Sequence, residues 1–194
     1  MVIAVSAVLI SAASFVAAYV QSEAALRQVK AETWPFLQLD HGNTNETGQE
    51  RGIYFRLVNA GVGPARVKKF QLFYDDKEVR DLQQIIYDCC VSEDVERAAF
   101  WQQLVNSGLN IVTDEVPPIV PDDSYVQLFT FPYNFAWTEE TVWPDVWKKY
   151  DKIRSKITAS VCYCSLLDEC YQSNLKDDPI EVKACYPEGS REPS

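Results

Sequence analysis

Residues 1–22, MVIAVSAVLISAASFVAAYVQS, run without a charged side chain, and the first charge in the chain is Glu23. An apolar stretch of that length predicts a membrane-spanning helix, because about 20 helical residues cross the hydrocarbon core. The chain continues as EAALRQVKAETW, a helical extension over residues 23–34 that water can surround. Pro35 stops it, since the residue before a proline avoids the α region. A cleavable signal peptide would set Val16 and Ala18 before a cut at Tyr19, but it needs a positive N-terminal region that this sequence lacks. The reading is an uncleaved anchor.

Beyond Pro35 the period changes to two. PFLQLDHG reads as a first strand, and IYFRLVN as a second with Ile53, Phe55 and Leu57 on one face. Between them lies a polar loop with the sequon Asn45-Glu46-Thr47, which matters only in a eukaryotic secretory pathway. ARVKKFQLFYDD reads as a third strand. It sets Phe70, Leu72 and Tyr74 on one face, Val67 and Phe73 on the other, and a turn at Asp75-Asp76. The period then becomes helical. Leu82, Ile85, Ile86 and Cys89 make one stripe; Ser92 suits an N-cap for a second helix striped by Val95, Ala98, Trp101 and Val105. Residues 80–106 therefore read as a helical pair inserted among strands.

Pro117, Pro118 and Pro121 mark the entry to another strand. In it Val126, Leu128 and Thr130 alternate against Tyr125, Gln127 and Phe129. A short helix is expected near Trp143–Lys152, then a hairpin turning near Leu167-Asp168, then a short strand in PIEVKACYP. The tail at residues 188–194 reads as loose. The fold class expected is mainly β. A transmembrane helix leads into a β-sandwich over residues 35–187 that carries the helical insert.

The loop VNAGVGPARV invites a phosphate-cradle reading. Such a cradle needs a following helix whose N-terminal amides hold the anion. Here strand alternation follows, and Pro64 removes an amide. The loop reads instead as a strand-to-strand corner. Gly61 and Gly63 allow positive φ, Pro64 fixes its own φ, and the Asn59 amide bonds back to nearby backbone.

The strand end LVNAGVGPA, the strand after it and the segment IVPDDSYVQLF together resemble bacterial cell-adhesion-related and other immunoglobulin-like envelope modules. The apolar segment followed by WPFLQL and LVNAGVGPA is similar to uncharacterised single-pass bacterial envelope proteins. The resemblance covers residues 34–75 and 116–131. It implies an immunoglobulin-like sandwich and supplies no catalytic residues.

Charge and cysteines then bound the function. Net charge is −10, which opposes nucleic-acid backbones and a polybasic grip on anionic lipid. Cys89, Cys90, Cys162, Cys164, Cys170 and Cys185 form an even set that fits a disulfide framework in an oxidising compartment. Cys162 and Cys164 share a strand face, so a cross-hairpin bond from one of them to Cys170 is reasonable. Cys89 and Cys90 are not expected to bond each other, since a vicinal bridge strains the peptide; they and Cys185 are expected to tie the insert and the tail to the sheet. Arg27 and Lys30, following the span, point to a cytoplasmic domain by the positive-inside rule. The cysteines point to the periplasm or cell exterior, and they carry the expectation of an inner-membrane, single-pass protein.

Two other groups compete for a role. Asp122-Asp123 and Asp177-Asp178 read as solvated turns, lacking the regular oxygen spacing of a calcium loop. Trp137, Trp143 and Trp147 read as core or membrane-facing packing, or as an exposed aromatic partner surface. The functional expectation is a tethered module that binds or scaffolds another envelope component, with no cofactor and no catalysis. Two alternatives stand beside it. One is a cysteine-based redox or metal-handling envelope protein using Cys162, Cys164 and Cys170; the other is an accessory subunit of a larger membrane complex.

Overall fold

The computed structural model describes residues 2–44, 51–92, 95–106, 111–113, 115–133 and 142–185. The sequon at residues 45–47, Trp137 and the tail at residues 188–194 lie outside them. Helix α1 spans Val2–Glu32, about 46 Å at the usual rise. Every described side chain from Ile10 to Glu32 is exposed. Among the described residues no helix is long and apolar enough to cross a membrane. The apolar run read at residues 1–22 lies partly outside the described side chains, which omit 1–5 and 7–9.

Two antiparallel sheets follow. The first has the order β1 (Leu37–Thr44), β2 (Arg51–Asn59), β7 (Ser124–Pro132), β5 (Val112–Thr113). The second runs β10 (Ile180–Val182), β9 (Cys170–Ser173), β8 (Ile157–Cys164), β3 (Ala65–Tyr74), β4 (Lys77–Val79), with β6 (Ile119–Val120) also on β3. They share one core. Ile53, Phe55, Leu57, Phe129 and Phe131 come from the first sheet, and Ile157, Ala159, Val161 and Tyr163 from the second. Alternation along β2 and β8 buries these residues as the sequence pattern requires.

Two bulges change the faces read from the sequence. The β3–β8 register shifts between Val67 and Lys69. Val67 therefore packs on the core with Phe70, Leu72 and Tyr74 rather than opposite them. The β2–β7 register shifts at Phe55/Arg56, so Leu128 and Phe129 are both buried although they are neighbours. Strict period-two reading fails at both points because an extra residue resets the phase.

Helix and strand occur in equal measure, so the fold is mixed rather than mainly β. Besides α1 there are α2 (Leu82–Cys90), α3 (Arg97–Asn106) and α4 (Trp143–Ile153), which ends in a single 3-10 turn at Arg154–Lys156. Asp81 caps α2 by accepting from the Gln84 amide at 2.7 Å. Its buried stripe is Leu82, Ile85, Ile86 and Cys90, with Cys89 turned partly outward. α3 begins at Arg97, not at Ser92, and it buries Phe100 and Leu104 instead of Ala98 and Trp101. The aromatic ring of Phe100 packs on Tyr87, Trp101 and Trp143, which fixes that rotation. α4 closes the core with Trp143, Val146, Trp147 and Tyr150.

Candidate functional site

The strand ends and loops sort to two ends of the paired sheets. At one end α1 joins the domain. There Asn59, fully buried, receives N–H bonds from Phe36 and Gly61 at its Oδ1, both 3.1 Å. Its Nδ2 donates to the carbonyls of Gly63 (2.9 Å), Val120 (3.2 Å) and Pro121 (3.0 Å). One side chain thus ties the helix exit, the glycine loop and the β6–β7 connection. The loop backbone repeats the grip: the Val62 and Gly63 amides donate to the Trp34 carbonyl, and the Ala60 amide to Phe36.

Asn59, Gly61, Gly63 and Pro64 are therefore a corner, as the sequence indicates, between β2 of one sheet and β3 of the other. The reason for the glycines differs from the one expected. A Cβ at Gly61 would fall 2.4 Å from the Phe36 nitrogen, and one at Gly63 would fall 2.2 Å from the Thr33 carbonyl oxygen. Close approach of the linker, not positive φ, excludes side chains here. Farther out, Lys30 of α1 forms an ion pair with Glu169 in the β8–β9 turn. Glu169 first by hydrogen bond and then by charge raises the Lys30 pKa. Arg66 on β3 pairs with Asp168 of the same turn.

The sulfurs of the second sheet gather at this end. Cys164 bonds Cys170, its direct cross-strand partner, and Cys162 bonds Cys185. Cys164 Sγ lies 3.8 Å from Cys185 Sγ. The Cys164, Cys170 and Cys185 sulfurs lie within 4.8 Å of one another. The hairpin bond anticipated for Cys170 is present. The expectation for Cys89 and Cys90 is corrected: they bond each other at the end of α2. The four remaining cysteines satisfy one another on the sheet, so none is left to pin the helix. The insert is fastened by α4 instead, through Tyr150 Oη donating to the Leu82 carbonyl at 3.1 Å and Lys149 Nζ to the Cys90 carbonyl at 3.5 Å. Burial, and then the nearby Asp81 charge, pushes the Tyr150 pKa well up and keeps this donor protonated.

The aromatic partner surface is also corrected. Trp143 and Trp147 are 5% and 6% exposed, because the apolar stripe of α4 turns inward. Trp147 Nε1 donates to the Phe131 carbonyl at 3.2 Å, which satisfies its polar edge inside the core.

At the other end of the sheets the chemistry is ionic. His41 Nδ1 lies 2.7 Å from Arg154 Nη1, and the same nitrogen donates to the His41 carbonyl. Arg154 Nε in turn bonds Asp151, and Asn43 Nδ2 bonds the other Asp151 oxygen. Since guanidinium only donates, His41 Nδ1 is the acceptor and the proton sits on Nε2. Burial, and then the Arg154 charge, lowers the His41 pKa. His41 is the one histidine of the sequence. Its partner is 113 positions away, with no local signal to connect them. Compared with family models, curated proteins and solved structures, the chain matches none.

Proposed function

We propose that the chain is a membrane-anchored, extracytoplasmic module in which residues 1–22 span the bilayer and an immunoglobulin-like sandwich binds or scaffolds another envelope component. The observation that carries this reading is α1. It is exposed at every described position from Ile10 onward, and its apolar residues are spread around the helix rather than gathered on one face. A helix of that kind has nothing among the described residues to bury against, and lipid is the surrounding that suits it. The paired cysteines favour an oxidising compartment for the domain.

The test is twofold. Membranes from expressing cells are washed with alkaline carbonate, and a reporter active only outside the cytoplasm is fused after Ser194. Retention in the pellet with an active reporter is expected. Release into the wash removes the anchor; retention with an inactive reporter at good expression removes the extracytoplasmic placement.

The redox or metal-handling reading draws on the three gathered sulfurs of Cys164, Cys170 and Cys185. Intact mass under alkylation, with and without reductant, separates it from the first. Three disulfides and no bound metal retire it, whereas alkylation without reductant retires the structural framework. Stable co-purification in mild detergent with a fixed set of membrane partners supports the accessory-subunit reading.

A further inference from the structure

Outside α1, eight large apolar side chains are exposed among the described residues, and six of them stand at one end of the sandwich. Trp34 closes the helix exit, Val62 tips the glycine loop, and Leu166 and Leu167 tip the β8–β9 turn. Ile119 precedes the β6–β7 connection, and Tyr125 follows it. Their co-location follows from pairing. Ile119 sits opposite Arg66 at the start of β3, and Cys164 opposite the same residue brings the β8–β9 turn alongside. Tyr125 faces Val58 at the end of β2. The opposite end carries Asp75, Asp76, Lys77 and Lys156.

We propose that this apolar end is a seat on the bilayer surface, with the Leu166–Leu167 turn tip reaching the headgroup layer beside the point where α1 leaves. The inference rests on the anchor reading of α1 and adds an orientation to it. Loose tethering would let the domain tumble; here the linker is clamped by Asn59, by three loop amides and by the Lys30–Glu169 ion pair. These contacts set the direction in which the chain leaves α1 for β1. Distance fits the seat. Eight residues separate Ser22 from Lys30, about 12 Å along the helix. A headgroup layer is roughly 5–7 Å deep, which leaves a gap of about one side-chain length for the leucines beyond Glu169 to close. Charge decides the lipid. Asp168 and Glu169 are held by Arg66 and Lys30, while Asp122 and Asp123 leave the rim negative. The seat is thus apolar insertion among zwitterionic headgroups, not attraction to anionic ones.

The test uses the full chain in phosphatidylcholine nanodiscs. Leu167 is replaced by the photocrosslinker p-benzoylphenylalanine, with Ile119 as a second site and Lys77 as the far-end control. β3 separates the two ends by about 30 Å, from its ten residues at the strand rise. After irradiation, intact mass is expected to show lipid adducts at Leu167 and Ile119 and none at Lys77. Disc-bound chain without adducts at Leu167 and Ile119 overturns the seat, and so does a chain-to-chain adduct in their place. Adducts at all three sites overturn it too, since the domain would then lie without fixed orientation. Chain that fails to enter the discs overturns the anchor reading instead, so the two failures are distinct.

Discussion

At the end where α1 enters, the bonds inside the junction are between neutral groups, and the ion pairs Lys30–Glu169 and Arg66–Asp168 lie outside them. Asn59 makes five of them, glycines let two backbones touch, and two disulfides lock the neighbouring hairpin. At the other end the bonds are ionic and partly exposed: Arg154 with Asp151 and His41, Lys156 with Asp75. The turn there needs two positive φ values, at Asp75 and Asp76, and uses aspartates that stay soluble. The difference teaches where rigidity is needed. Buried amide bonds hold geometry at any pH and salt, while exposed ion pairs contribute little and are screened. A domain that must keep its orientation to a helix places the first kind at the junction.

Removing the latch should show the contrast most strongly. Asn59→Ala strands two amides and three carbonyls, of which the Gly63 and Val120 carbonyls are buried, and a loss of about 3–5 kcal/mol is expected. Asn43→Ala at the other end removes one partly buried bond and should cost under about 1 kcal/mol. Chemical denaturation of both variants measures the gap. Equal losses would erase the comparison. The disulfides come next. Replacing Cys162 and Cys185 together with Ser opens a cross-link 23 residues apart, worth about 3 kcal/mol by loop closure. The accompanying loss of hydrogen-exchange protection should centre on β8 and β9 and spare α4. Uniform loss across the domain would mean the junction is not locally braced.

The sequence made some of this legible and hid the rest for identifiable reasons. Ile53, Phe55 and Leu57, like Ile157 through Tyr163, sit in unbroken alternation, so their burial was readable. Val67 and Leu128 were misassigned because each lies beside a bulge, and one extra residue flips a face. Asn59 and its glycines announced a corner. That the corner receives the linker at Thr33–Phe36 depends on a contact made after folding, which spacing cannot encode. Trp143 and Trp147 look alike as candidates for surface or core; the rotation of α4 decided it. The cysteine pairing had many solutions, and β8–β9 register selected Cys164 with Cys170.

A smaller effect probes the core beside the junction. Tyr163 is fully buried and stands opposite Val67; its hydroxyl faces the Leu37 backbone amide but makes no hydrogen bond of good geometry among the described residues. Burial pushes its pKa up to about 12. An unpartnered buried hydroxyl costs about 1–3 kcal/mol of desolvation. Tyr163→Phe keeps the ring and removes that cost, so a rise in Tm with a gain of about 1 kcal/mol is expected. A fall in Tm would mean that the hydroxyl is satisfied in solution.

The smallest expected effect separates the two ends by pH. His41 has its pKa lowered, by burial first and by Arg154 second, with Asp40 opposing and Lys176 adding. The unfolded chain takes up this proton near pH 6.5, and the folded one only at lower pH. The contribution is therefore fully present above pH 6.5 and is lost as pH falls through the lowered value. His41→Gln should flatten the stability profile between pH 7 and 5, while leaving stability at pH 8 within about 1 kcal/mol of wild type. Asn59→Ala should shift the same profile downward without changing its slope, since none of the five bonds it removes involves a titrating group. Denaturant midpoints at a series of pH values read both variants in one experiment. A slope change in Asn59→Ala, or none in His41→Gln, would show that the neutral and ionic ends are coupled through the core rather than separately built.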